Sequence, residues 1–100
     1  MIEKIIEGIK YRLDEENLTA KVIQKKGYEG DFIIPETVVF KKVAYRVTSI
    51  GKYAFYGCSS LTSITFNGTK AQWKGINLGY AWKKNVPTKV IHCTDGEVKI

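Results

Sequence analysis

The chain has 100 residues, 44% of them apolar and 26% charged, and a formal net charge of +6. That length supports one domain with a modest core, and the apolar fraction excludes a disordered chain. No apolar run approaches the roughly 20 residues that cross a bilayer as a helix, and two cysteines do not make the dense framework of a small disulfide-stapled fold.

From the N-terminus, MIEKIIEGIK lacks the basic segment followed by an apolar stretch that a signal peptide needs, because Glu3, Lys4 and Glu7 interrupt it. Two compartments stay open: cytoplasmic, or exported with a leader outside these residues. Residues 1–8 are expected to form an amphipathic first turn or to fray. Ile9, Tyr11 and Leu13 alternate with polar residues, Asp14-Glu15-Glu16-Asn17 is a polar turn, and Leu18 to Val22 alternates again. This predicts an antiparallel hairpin. Phe32-Ile33-Ile34 is a short strand stopped by Pro35, which cannot donate to a ladder. Val38-Val39-Phe40 and Val43 to Val47 should pair across Lys41-Lys42.

Val47 to Phe66, VTSIGKYAFYGCSSLTSITF, reads as one repeat turn: a strand, a Gly51 corner, an aromatic wedge, a Gly57-Cys58 corner and a second strand. Such a turn cannot bury its apolar side alone and must stack on a neighbour. Residues 32–37 align with 64–69, so Phe32 should stack on Ile64 and Ile34 on Phe66. Thr69 and Gln72 carry a capping-box signature before a short helix of about two turns with Ala71, Trp73 and Ile76 on its apolar side. Trp73 and Trp82 are expected as lids over the open end of the stack. Val90 to Cys93 is a strand, Asp95-Gly96 a turn signal, and Val98 and Ile100 suit a final edge. The expected core is Ile9, Tyr11, Leu13, Leu18, Val22, Phe32, Ile34, Val47, Ile50, Ala54, Phe55, Cys58, Leu61, Ile64, Phe66, Trp73 and Ile91.

Charge is segregated. Residues 1–36 hold eight acids and six bases, whereas residues 37–94 hold nine bases and no acid. Such a field steers acidic partners, although lysines also protect the edges of a small sheet. Chemistry is sparse. His92 is the single histidine, and zinc needs three or four convergent ligands. His92 and Cys93 are adjacent on a strand and point to opposite faces, so they make no nucleophilic pair, and a Cys58–His92 pair would depend on the fold bringing the two together. Cys58 and Cys93 read as free thiols packed as small apolar groups. Asp14-Glu15-Glu16 is a solvated turn without the divided pKa values of acid–base catalysis. No catalytic residue, metal or cofactor is expected.

The strings Ile34-Pro35-Glu36-Thr37-Val38, Tyr45-Arg46-Val47-Thr48-Ser49-Ile50-Gly51 and Tyr53-Ala54-Phe55-Tyr56-Gly57-Cys58-Ser59-Ser60-Leu61-Thr62-Ser63-Ile64 resemble the BspA-type leucine-rich repeat family. The segments 66–73 and 91–96 are similar to the closing part of such proteins. The resemblance implies bacterial, mostly exported, extracellular or cell-surface proteins that bind host or neighbouring-cell proteins through the repeat face.

The expected fold is mainly β with one short helix: a short leucine-rich-repeat-like β-solenoid forming a single domain. Residues 1–46 would be an N-terminal hairpin cap, 47–68 the repeat turn and 69–100 a helix-plus-strand cap. The expected function is non-catalytic protein binding of the adhesion type. Tyr53, Tyr56, Tyr80 and Trp82 with Lys52, Lys83 and Lys84 form the expected contact set, since aromatic anchors with a charged rim carry binding energy. Two alternatives are a basic polyanion or nucleic-acid binder, in which lysines and aromatics combine phosphate contact with stacking, and a purely structural terminal segment of a longer repeat protein.

Overall fold

The structure, a computed structural model, describes all 100 residues. In chain order the elements are β1 (Ile2–Ile6), β2 (Ile9–Asp14), β3 (Thr19–Val22), β4 (Gly30–Ile34), β5 (Thr37–Phe40), β6 (Val43–Ile50), β7 (Leu61–Phe66), α1 (Lys70–Lys74), β8 (Asn77–Leu78), β9 (Val90–Cys93) and β10 (Gly96–Lys99). The chain is mainly β, with one short helix and no closed barrel. No helix is long and apolar enough to cross a membrane.

Two sheets enclose the core. One runs β1-β2-β3-β6-β5, with β8 beside the far end of β6; the other runs β10-β9-β7-β4. Within the first sheet β3, β6 and β8 are parallel, and within the second β4, β7 and β9 are parallel. The chain therefore passes from one sheet to the other three times, each pass lying on the one before. The expected register holds, with Phe32 beside Ile64 and Ile34 beside Phe66. Ile64 in turn lies beside Ile91. Alternation accounts for much of the burial: Tyr11, Leu13, Val22, Val47, Ile64 and Phe66 point inward while their neighbours face out. The predicted hairpins β2–β3, β5–β6 and β9–β10 all form.

Four details depart from the expectations. Residues 2–6 are not a helical or frayed turn but an edge strand on β2, closed by Glu7 and Gly8, both at positive φ (49° and 82°) as a tight two-residue hairpin loop requires. Leu18 is 46% exposed, because its left-handed φ of 55° at the turn exit aims it outward, away from the core. Cys58 is only half-buried. The helix has five residues rather than two turns, and Ala71 faces solvent. Thr69 and Gln72 do form the reciprocal capping box, and Gly75 closes the helix so that residues 77–78 can extend as β8.

A spine of aromatic rings runs through the layers. Tyr28 meets Phe32 at 4.7 Å between centroids, Phe32 meets Phe55 at 5.0 Å, and Phe55 meets Trp82 at 6.0 Å. Trp82 continues to Trp73 at 5.8 Å, and Trp73 to Phe66 at 5.7 Å. The two expected lids thus pack on one another.

Tyr28 also bridges backbone. Its hydroxyl accepts from the Lys10 N–H and donates to the Ile23 carbonyl, both at 3.0 Å. Burial pushes its pKa up to about 12. An unfolded tyrosine ionises near pH ~10, so the stability this group contributes is whole below that pH and is lost as pH rises through about 12. We expect Tyr28→Phe to cost about 1–2 kcal/mol at neutral pH, by leaving two backbone groups unpaired. The variant should also lose less stability than the parent between pH ~10 and ~12. Urea unfolding at neutral and alkaline pH checks both.

Candidate protein-binding face

The face is built where the chain crosses between the sheets. Residues 51–60 leave β6 and enter β7 as consecutive turns: Ala54 N–H donates to Gly51 C=O, Tyr56 to Tyr53 and Cys58 to Phe55, at 3.0–3.1 Å. Residues 79–86 repeat the pattern, with Trp82 donating to Gly79, Lys84 to Ala81 and Val86 to Lys83, at 3.1–3.3 Å. The two crossings lock together through three backbone hydrogen bonds. Tyr53 N–H donates to Tyr80 C=O at 3.0 Å, Phe55 to Trp82 at 2.8 Å and Gly57 to Lys84 at 3.0 Å. Tyr53-Ala54-Phe55 thereby sits on Tyr80-Ala81-Trp82, 27 residues later.

This stacking sorts the seven predicted contact residues. Tyr53 meets Tyr56 at 5.5 Å and Tyr80 at 5.7 Å, both nearly perpendicular, so the three rings form one surface ridge. Tyr80 is its tip, 74% exposed. Lys52 and Lys84 lie exposed on the same two crossings. Trp82 does not join them: at 8% exposure it stands over Phe55 in the spine, because Phe55 is the residue it stacks on. Lys83 is half-buried and borders a separate groove with Trp82. None of the nine basic residues of 37–94 forms an ion pair; the four ion pairs involve Met1, Lys10, Arg12 and His92.

The other chemistry-bearing groups lie apart from one another. His92 Nδ1 is 2.8 Å from Glu97 Oε2 across the last hairpin. Cys58 borders a cavity of about 670 Å³ with Tyr28, Tyr56 and Lys25, a cavity that His92 does not reach. Both cysteines are free. Burial pushes the Cys58 thiol up, and burial with the nearby Asp95 does the same for Cys93, so both favour the protonated, unreactive form. Asp14 accepts from Asn17 and from the Glu16 and Asn17 N–H groups, and these bonds hold its carboxyl below the usual range. That is a turn-building role.

Tyr28 is the functional-looking residue that the sequence reading overlooked. Its lone position between Lys26-Gly27 and Glu29-Gly30 carries no periodicity, and only its place beneath Phe55 explains its burial.

No protein-family profile matches the chain, and no curated protein does. Among solved structures, a leucine-rich cell surface protein of Faecalibacterium prausnitzii A2-165 superposes on 95% of this chain with a TM-score of 0.68 at 22% identity. The chain spans 24% of the length of that protein. At this identity the likeness is one of fold: the two mixed sheets and their crossings superpose on part of a leucine-rich surface protein.

Proposed function

We propose that this chain is a non-catalytic protein-binding module, a short leucine-rich-repeat solenoid of the bacterial cell-surface type. In this reading residues 1–46 cap the stack, 47–68 form the full repeat and 69–100 close it. The four parallel strand pairs support the solenoid reading, and the likeness to a leucine-rich surface protein supports the compartment. One observation carries the function: two stacked crossings hold Tyr53, Tyr56 and Tyr80 as a fixed ridge beside Lys52 and Lys84. A rigid aromatic ridge loses little side-chain entropy on binding, and tyrosine is enriched among residues that dominate interfaces. The ligand is a protein, in keeping with host or neighbouring-cell surface proteins.

The test is capture of a panel of host matrix proteins by the immobilised chain. Tyr80→Ala should weaken capture about tenfold or more while shifting stability by less than ~0.5 kcal/mol. Undiminished capture by that variant sinks the assignment. The nine unpaired cations favour one second reading, a polyanion binder. Capture of a single-stranded oligonucleotide that collapses with salt, without capture of any protein, would select it.

A further inference from the structure

A second surface lies at the C-terminal end of the stack, separate from the tyrosine ridge. A groove of about 360 Å³ opens there, beside β8 and the end of β10. Trp73, Ile76 and Trp82 form its floor, and Leu78, Val98 and Ile100 its sides. Leu78 is 43% exposed, large for an apolar side chain beside two indoles. Lys74, Lys83 and Lys99 stand around the groove, and no acidic side chain lines it. None of these lysines has an ion-pair partner in the fold.

We propose that this groove binds an acidic peptide segment of a partner protein, which seats one bulky apolar side chain on the indoles and sets flanking carboxylates against the three lysines. The volume is at the small end of the about 300–1,000 Å³ of ligand clefts, a space for one or two side chains. Charge selects the occupant. A second copy docked face to face would bring two lysine triads together, and like charges at an interface repel. A membrane surface fits less well, because both indoles are buried in the floor rather than projecting from it. The lysines would also steer approach, so the association should weaken as salt rises.

The probe is the capped peptide acetyl-Glu-Glu-Phe-Glu-Glu-amide, titrated into the full chain and followed by the indole N–H signals of Trp73 and Trp82 and the amide of Val98. Saturable shifts at these three positions are expected. Exchanging the peptide's acids for lysines, or its phenylalanine for alanine, should weaken binding by about tenfold or more. The triple variant Lys74→Glu, Lys83→Glu, Lys99→Glu, two of its sites exposed and Lys83 half-buried, should do the same with its unfolding midpoint retained. If that variant does not fold, the peptide series alone decides. Tyr80→Ala should leave the titration unchanged, so failure of the ridge and failure of the groove are separable. The proposal is overturned by absent or non-saturable shifts, by equal binding of the lysine peptide, or by shifts that appear on concentrating the protein alone. Binding to phosphatidylserine vesicles in place of the peptide also overturns it.

Discussion

Gly79→Ala is expected to lower the unfolding free energy by about 3 kcal/mol or more, the largest effect of any glycine substitution in the chain. A Cβ at position 79 would lie 2.4 Å from Lys52 N and 2.6 Å from Gly51 C, both backbone atoms of the layer beneath. That layer is pinned by Gly51 N–H to Val22 C=O at 2.7 Å, and Gly79 itself donates to Ile50 C=O at 2.8 Å. Overpacking costs about 1–3 kcal/mol when side chains can yield, and here two backbones would have to part. Gly68→Ala should fall lower, since its Cβ meets the Phe66 ring and the Gln72 side chain, which can shift. Gly75→Ala should be close to neutral, its nearest neighbour being Gln72 O at 3.5 Å. Urea midpoints of the three variants test the ranking. Equal values for Gly79→Ala and Gly75→Ala would refute the close stacking of the two crossings. Because that approach seats Tyr80 against Tyr53, a Gly79→Ala protein that still folds should also lose the tyrosine ridge.

The parts of the fold that were legible are those whose signal is local. Strict alternation marks β2 and β3, since every second residue must meet the opposite sheet. The match between 32–37 and 64–69 gave the parallel register of β4 on β7, and Thr69 with Gln72 marked the helix start. β1 was illegible for a physical reason. As an edge strand it half-buries only Ile2 and Ile6 and leaves Ile5 in solvent, so its sequence lacks an apolar face. The overlooked signal was Glu7-Gly8, a two-residue turn between apolar runs. β8 escaped notice because two residues carry no periodicity; it exists because Ile50 offers a free edge to Leu78.

Of the expected contact set, Tyr53, Tyr56 and Tyr80 share one surface ridge, whereas Trp82, admitted by the same criterion of aromatics beside lysines, is buried in the spine. A second alignment would have separated them. Tyr53-Ala54-Phe55 and Tyr80-Ala81-Trp82 are the same step one layer apart, and Phe55 belongs to the core, so Trp82 must as well. The C-terminal groove lay beyond such reasoning altogether. It needs residues 73–78, 82–83 and 98–100 in one place, and only the antiparallel return of β10 on β9 brings the last of them there.

Phe55→Ala should remove about 3–5 kcal/mol, a large share of the roughly 5–15 kcal/mol that holds a domain of this size. Phe55 is fully buried and is the one ring that touches layers on both sides, with Tyr28 and Phe32 below it and Trp82 above. Truncation leaves a void among three rigid rings, and their backbones are tied by hydrogen bonds that oppose collapse into the gap. Thermal unfolding should begin at least about 12 °C lower, at ~4 °C or more per kcal/mol for a chain of this length. A Phe32→Leu, Phe55→Leu double-mutant cycle isolates the ring contact and should return a coupling of about 0.5–1.5 kcal/mol. A loss below ~1 kcal/mol for Phe55→Ala would mean that the layers are held by their sheets alone. The sheets have little to offer at the last layer, where β8 contributes two residues and β9 only four. Without the spine, the third crossing and the Tyr80 it carries would lose their seat first, so the tyrosine ridge should come apart at temperatures where β2, β3 and β6 are still paired.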